Sequence, residues 1–378
     1  MDLQNRRLET IQRMRGVAAC AVVFAHVVDL ILERGSQMGE PRLISLGYVA
    51  DFGAVGVDLF FVISGFVMAM SVCRLSGTRG ATKFLVLREV RIAPPYLAVC
   101  AVLVAYRLAK DGVTPTWRSV WNAVAYIPVW DVGSYTEPPL TIGWTLSFEF
   151  AFYVVVAAMI VVNLNDRLLY LVGLFLATAA LGMVWSTDVY VVDWVLSPMM
   201  LEFGLGIIAY TLWSQGTLRR LRRVWWLAVL IGASALLVEL FVGYGDVSDA
   251  DRILDSDAAT PRVVVWGLPM FLIFSGLIAR GERQRHPRWD RLPKLLGDAS
   301  YSIYLVHLLP LIVLGAVVER LPGPVPPDAA LLACFGVAVA AGVVYYKLVE
   351  APVTERLRTV VARRLDSPRH LPVEEPPA

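Results

Sequence analysis

Charge is scarce in this chain. Asp, Glu, Lys and Arg make up 17% of 378 residues, against 57% hydrophobic residues and a mean hydropathy of +0.62. No soluble domain needs that much apolar surface, so the composition is that of an all-α, polytopic integral membrane protein. The net charge is only +2, too balanced for a nucleic-acid partner. Cysteine is scarce too. Cys20, Cys73, Cys100 and Cys334 all sit in or beside apolar segments, with no zinc-like spacing, and read as small apolar filler. No metal is implied. The N-terminus lacks a short apolar core followed by a small-residue cleavage site, so no signal peptide is read and the first helix is retained. There is no internal repeat of fixed period, and no linker long enough to separate soluble domains. The expected division is a transmembrane domain over 1–350 and a cytoplasmic C-terminal tail over 351–378, disordered at its end.

What the chain has instead is a series of apolar runs. A window of about 19 residues picks out ten candidate spans. They cover 14–32, 55–73, 92–108, 142–162, 168–185, 194–213, 225–242, 262–279, 299–318 and 331–349. The third opens at Pro94-Pro95, which suits a helix start, where backbone donors lack partners anyway. Basic residues cluster in alternate connections: Arg6, Arg7 and Arg13, then Arg74 to Arg91, Arg219 to Arg223, Arg280 to Lys294, and Arg356 to Arg364. The segment 243–261 on the opposite side is acidic. The positive-inside rule then places both termini in the cytoplasm. Trp117, Trp144, Trp194, Trp213, Trp225 and Trp226 fall near span ends, as an aromatic belt would.

The first span, 14–32, carries Arg15, His26 and Asp29. Ionisable groups are costly inside a membrane and are functional candidates by default. Arg15 and His26 are eleven residues apart, about three helical turns, so they share a face and lie roughly 16 Å apart along it. Glu149 enters from the opposite side to a depth of roughly 10 Å, and His307 lies roughly 12 Å in from the cytoplasmic side. If the first and fourth spans touch, Glu149 could orient His26 as a base. Each residue also has a plainer reading. His26 could be an interhelical hydrogen-bonding residue, and Glu149 and His307 could be helix-packing partners. Asp58 could be interfacial, and Glu202 structural. Arg88 and Arg91, at i and i+3, form an adjacent pair suited to gripping phosphate, yet a cytoplasmic loop calls for basic residues in any case. Ser64 lies beside Gly65, which favours close helix packing over a nucleophile. The acidic segment lacks the glycine and spacing of a calcium loop and reads as solvated.

The runs RGVAACAVVFAH (15–26), GVDLFFVISGF (56–66), REVRIAPPY (88–96), GWTLSFEFAFY (143–153) and GDASYSIYLVH (297–307) together resemble the acyltransferase-3 family. These integral-membrane O-acyltransferases act on envelope glycans and other acceptors. The form of the second and fourth runs is most similar to members that decorate exopolysaccharides. The resemblance covers the chain from about residue 14 to about 350. It implies transfer of an acyl group, with acetyl expected, from cytoplasmic acyl-CoA to a hydroxyl of a cell-surface glycan or lipid-linked sugar in a bacterial plasma membrane. Acyl-CoA would be a donor substrate, with no permanently bound cofactor. His26 matches the histidine regarded as catalytic, and Arg15 the arginine before it. Arg88 and Arg91 match the motif associated with acyl-CoA. Glu149, His307, Tyr301 and Asp58 fall on motif positions of less settled role. Whether His26 is a base or carries the acyl group stays open. Many family members carry a fused extracytoplasmic domain that completes transfer; without one, the chain would act directly or hand the group to a separate protein. A secondary transporter with a buried His/Glu/Arg relay is the rival class, though the two related halves common in transporters are not seen. A small-molecule acceptor is a third reading.

Overall fold

The computed structural model describes residues 3–33, 49–72, 75–131, 133–164, 167–185, 189–243, 247–254, 258–281, 287–320 and 325–366. Cys73, Arg74, parts of the acidic segment and the end of the tail at 367–378 lie outside the described residues. Among those described, the chain is helical apart from one short hairpin, β1 (Trp130–Asp131) against β2 (Ser134–Tyr135). The helices used below are α1 (Leu3–Glu33), α2 (Val55–Val72), α3 (Gly77–Asp111), α4 (Trp117–Ala125), α5 (Trp144–Val161), α6 (Leu169–Val184) and α7 (Met200–Ser214). They continue with α8 (Trp225–Val242), α9 (Leu268–Arg280), α10 (Pro287–Asp298), α11 (Ser300–Val306), α12 (Leu308–Val318), α13 (Pro327–Tyr345) and α14 (Ala351–Asp366).

Among the described residues, eight helices are long and apolar enough to cross a membrane. The expected ninth span is a bent pair, α11 and α12, with a 41° break at His307. The expected fifth span, α6, is an apolar helix of 16 residues, shorter than those eight. The architecture is an all-helical polytopic membrane protein.

Two expectations need correction. Pro94-Pro95 does not open a helix but lies inside the 35-residue α3. Interior prolines remove backbone donors, which a membrane helix tolerates when neighbouring helices bond the local carbonyls. The carbonyls left without a helical donor are those of Val90 and Arg91; close by, Tyr301 donates to the Ile92 carbonyl and Tyr345 to the Pro95 carbonyl, both at 2.9 Å, tying α11 and α13 to this stretch. The tryptophans divide as well. Trp117 and Trp226 are exposed, whereas Trp144 and Trp194 are buried in the main core and are not belt residues. At the far end, α13 passes through a wide turn, Tyr346–Glu350, straight into α14, which packs back on α3. Cys100 and Cys334 are buried free thiols, and Cys20 is a half-buried one.

Helix α2 is the centre of the bundle, packed between α1 and α7. Lipid supplies no hydrophobic drive between helices, so close van der Waals approach must do this work, and small residues permit it. A Cβ added at Gly56 would lie 2.3 Å from the Ala18 carbonyl oxygen of α1. On the other side, added Cβ atoms would lie 2.1 Å from the Phe203 oxygen at Gly65 and 2.1 Å from the Val62 oxygen at Gly206. The packing expected beside Ser64 is therefore carried by Gly65, leaving the serine hydroxyl free for another use. Gly206→Ala is expected to push α2 and α7 apart and destabilise the fold by about 1–3 kcal/mol, the usual cost of overpacking. Thermal unfolding in detergent would measure this, and an unchanged melting temperature would contradict the close crossing.

Candidate active site

The packing of α1, α3, α5 and α11 around α2 encloses a cavity of about 100 Å³. Its apolar wall includes Phe60 and Phe61 of α2, with Tyr301 and Tyr304 of α11 alongside. Its charged wall is Arg15 of α1 with Arg88 and Arg91 of α3. The i, i+3 spacing of the α3 pair does place both guanidiniums on the face turned to the cavity. Arg88 stacks over the rings of Phe84 and Tyr153, at 5.5 and 6.0 Å from their centroids. None of the three arginines lies within 4 Å of a carboxylate among the described residues, whereas Arg13, Arg118 and Arg262 do. Glu149 and Glu350 act on Arg15 from further away.

Glu149 lines the same cavity, one turn into α5. It accepts a hydrogen bond from Ser64 Oγ at 3.2 Å and another, on the same oxygen, from the Tyr153 hydroxyl. Tyr153 stands at i+4 from Glu149, so the helix itself brings the two together. Deeper in, the Tyr304 hydroxyl meets Thr145 Oγ1 at 2.7 Å and donates to the Ile142 carbonyl at 3.0 Å. Tyr301 lines the cavity while its hydroxyl ties α11 to the carbonyl of Ile92, next to Arg91.

His26 does not meet Glu149. Its Nδ1 is 3.0 Å from the Val22 carbonyl, and its ring contacts His307, with centroids 4.9 Å apart and planes at 63°. Arg15 and His26 share a face of α1 as expected, but the histidine lies three turns further along and is not among the cavity-lining residues. Tyr304 separates the two places: it lines the cavity, and its ring is 6.3 Å from that of His307. The fourth-span carboxylate and the first-span imidazole thus occupy different ends of one polar track.

Asp58 is not interfacial. It is fully buried and grips Arg262 bidentately, with Nε–Oδ1 at 3.0 Å and Nη2–Oδ2 at 2.8 Å. The same guanidinium donates to the Val247 carbonyl at 2.8 Å and the Ala54 carbonyl at 3.1 Å, and lies 4.7 Å from the Trp266 ring centroid. Glu202, also fully buried, acts on this pair and sits against Gly267. Asp58 therefore belongs to a structural clamp. Sequence reading passed over Arg262, although a lone arginine opening an apolar run was a usable signal. It also passed over Glu350, which ends the tenth apolar run, is buried, and accepts a hydrogen bond from Ser302.

A helical bundle of membrane-crossing length is the architecture of a multi-pass membrane protein, and the arginine-walled cavity is its candidate site. Comparison with known proteins gives the rest. The family described as "Acyltransferase domain" matches residues 8–347. The chain is 34% identical over 326 residues to the exopolysaccharide production protein ExoZ of Rhizobium meliloti (strain 1021), covering 84% of this chain and 94% of that protein. It is 27% identical over 382 residues to Nodulation protein 10 of Rhizobium leguminosarum bv. viciae, covering 93% and 95%. It is 26% identical over 377 residues to acyltransferase MdmB of Streptomyces mycarofaciens, covering 92% and 91%. No solved structure matches. The chain belongs to the acyltransferase-3 family, and it is an acyltransferase of non-aminoacyl groups.

Removing one partner of a buried ion pair leaves an uncompensated charge, a loss of about 3–5 kcal/mol. Asp58→Ala and Arg262→Ala should each lower the melting temperature in detergent sharply. The apolar double replacement Asp58→Leu/Arg262→Met should recover most of the loss; a double variant as unstable as the singles would contradict a role confined to structure.

Proposed function

We propose that this enzyme takes an acetyl group from cytoplasmic acyl-CoA and delivers it to a hydroxyl of a cell-surface glycan or lipid-linked sugar, in a bacterial plasma membrane. The observation that carries this reading is the convergence of Arg15, Arg88 and Arg91 on one cavity without a carboxylate in contact among the described residues. Like charges held together in a low-dielectric interior call for an anion, and the phosphates of CoA match guanidinium forks. By their places on α1 and α3, these arginines sit at the end predicted to face the cytoplasm, where the donor would be. The apolar remainder of the cavity suits the pantetheine arm, a chain of amides and methylenes. The glycan acceptor is supported by the exopolysaccharide production protein, which aligns over 94% of its length.

In this reading Arg88 and Arg91 hold the phosphates, Arg15 steers the thioester inward, and Glu149 balances charge and positions Tyr153 and Ser64. His26 acts as general base on the acceptor hydroxyl, a task an imidazole suits because its ordinary pKa lies near neutrality. The oxygen attacks the thioester carbonyl, the tetrahedral intermediate collapses, and CoA leaves as the thiol. A separate extracytoplasmic protein would be needed only if the purified enzyme fails to acylate acceptor by itself.

The test is consumption of labelled acetyl-CoA by purified protein in liposomes. His26→Ala should reduce turnover about 10²–10⁴-fold, the usual contribution of a general base. Arg88→Ala should instead raise the donor KM about 10- to 100-fold, the equivalent of one charge-assisted hydrogen bond. Equal turnover by wild type and His26→Ala would remove the base from the scheme. Substrate flux without any acyl-CoA would favour a transporter.

A further inference from the structure

The helix that follows the last membrane span carries an arginine with no part in the scheme so far. The Tyr345 hydroxyl bonds the Pro95 carbonyl at 2.9 Å, which fixes where α13 meets α3. From that point the chain runs through the wide turn into α14, and α14 packs on α3. The two run in opposite directions. Arg358 lies further along the chain than Tyr345, yet within electrostatic reach of Arg91 and Arg88, which precede Pro95. Helical spacing aims it there: Thr354 is buried, and Arg358 at i+4 stands on the same face, one turn further out. Unlike Thr354, Arg358 is exposed. Among the described residues no carboxylate lies within 4 Å of it, Glu355 one turn earlier included. Topology alone calls for basic residues on this helix. It does not call for one of them to be turned towards two other guanidiniums, where like charges repel.

We infer that Arg358 completes the donor site, its guanidinium binding the phosphate monoester on the ribose of acyl-CoA. This rests on the proposed donor and deepens it. Acyl-CoA is a linear molecule: a thioester, the pantetheine arm, a diphosphate, then a ribose that bears a third phosphate. With the arm in the cavity and the diphosphate on Arg88 and Arg91, the ribose emerges on the cytoplasmic side of that pair. Arg358 stands there, exposed, where Arg88 and Arg91 are half-buried. A phosphate monoester is a compact dianion whose oxygens match a guanidinium fork, and it brings two negative charges to a place where three positive ones meet. Helix α14 is on this account the outer lip of the donor site rather than the start of a tail.

The test compares acetyl-CoA with its dephospho analogue, which lacks only the ribose monoester. Arg358→Ala should raise the KM for acetyl-CoA about 10-fold, the scale of one charge-assisted hydrogen bond, with kcat within about two-fold of wild type. On the dephospho donor the same variant should match wild type. Arg358→Lys, which keeps the charge and loses the fork, should recover part of the loss on acetyl-CoA. Arg88→Ala is the control and should weaken both donors. An unchanged KM for acetyl-CoA in Arg358→Ala overturns the inference. So does an equal rise for both donors, which a lipid headgroup contact or a general loss of positive charge would give. Should Arg358→Ala not fold, wild type decides, because equal affinity for CoA and dephospho-CoA rules out a site for the monoester. Direct binding separates the two levels. A wild-type protein that binds no CoA sinks the donor itself, whereas one that binds CoA without reading the monoester through Arg358 sinks this assignment alone.

Discussion

Three guanidinium groups share one small cavity inside a membrane bundle, and the architecture is arranged around that constraint. Charge in a low-dielectric interior is tolerable only with compensation, through a counter-ion, hydrogen bonds or aromatic faces. Arg88 has aromatic faces from Phe84 and Tyr153. Arg15 has Glu149 and Glu350 within electrostatic reach, and Arg15 and Arg91 repel one another. Among the described residues none of the three has a carboxylate in direct contact, and the proposed phosphorylated donor would supply an anionic partner in each catalytic cycle. The cavity wall is thus charged at one end and aromatic at the other, with Glu149, Ser64 and Tyr153 between.

A different solution to the same problem stabilises the opposite half of the bundle. Arg262 is fully buried, but all its directions are occupied: Asp58 takes two donors, the carbonyls of Val247 and Ala54 take others, and Trp266 covers a face. This arginine has a carboxylate partner, whereas among the described residues Arg15, Arg88 and Arg91 have none in contact. The contrast separates a residue that holds α2 to the segment before α9 from residues proposed to bind the donor. It also removes Asp58 from the candidate site, even though it shares a sequence motif with cavity-lining residues only one and two turns away.

The close crossings of α2 with α1 and α7 connect these two regions. Gly56, Gly65 and Gly206 bring the backbones near enough that Ser64 projects to Glu149 and Arg15 is carried to the cavity wall. The break at His307 has a comparable effect on the other side, turning a buried histidine towards α1 instead of continuing a straight span. Tyr301, from the same helix, bonds a carbonyl beside the two prolines of α3, so the segment bearing Arg91 is held by the element that bears His307.

Much of this was legible from residue order alone, because membrane-crossing helices announce themselves by local composition. The apolar runs lie on the described helices, and Arg15, Arg88, Arg91, Glu149 and Tyr301 do reach one cavity. Helical spacing settled the Arg88–Arg91 pair and the shared face of Arg15 and His26, since both depend on a single helix. Partnerships between helices were another matter. Depth in the membrane was the only guide to them, and depth put His26 beside Glu149, when azimuth and packing put it beside His307. Asp58 could not be recognised as half of an ion pair whose other half lies 204 positions later. The prolines of α3 read as a helix start because the tyrosines that bond the carbonyls beside them come from α11 and α13. The sequence by itself determined the class, the helices and the chemical groups available, all of which follow from short-range composition and periodicity. Tertiary structure alone decided which buried charges are compensated and which remain open to a ligand, because that depends on contacts between residues far apart in the chain.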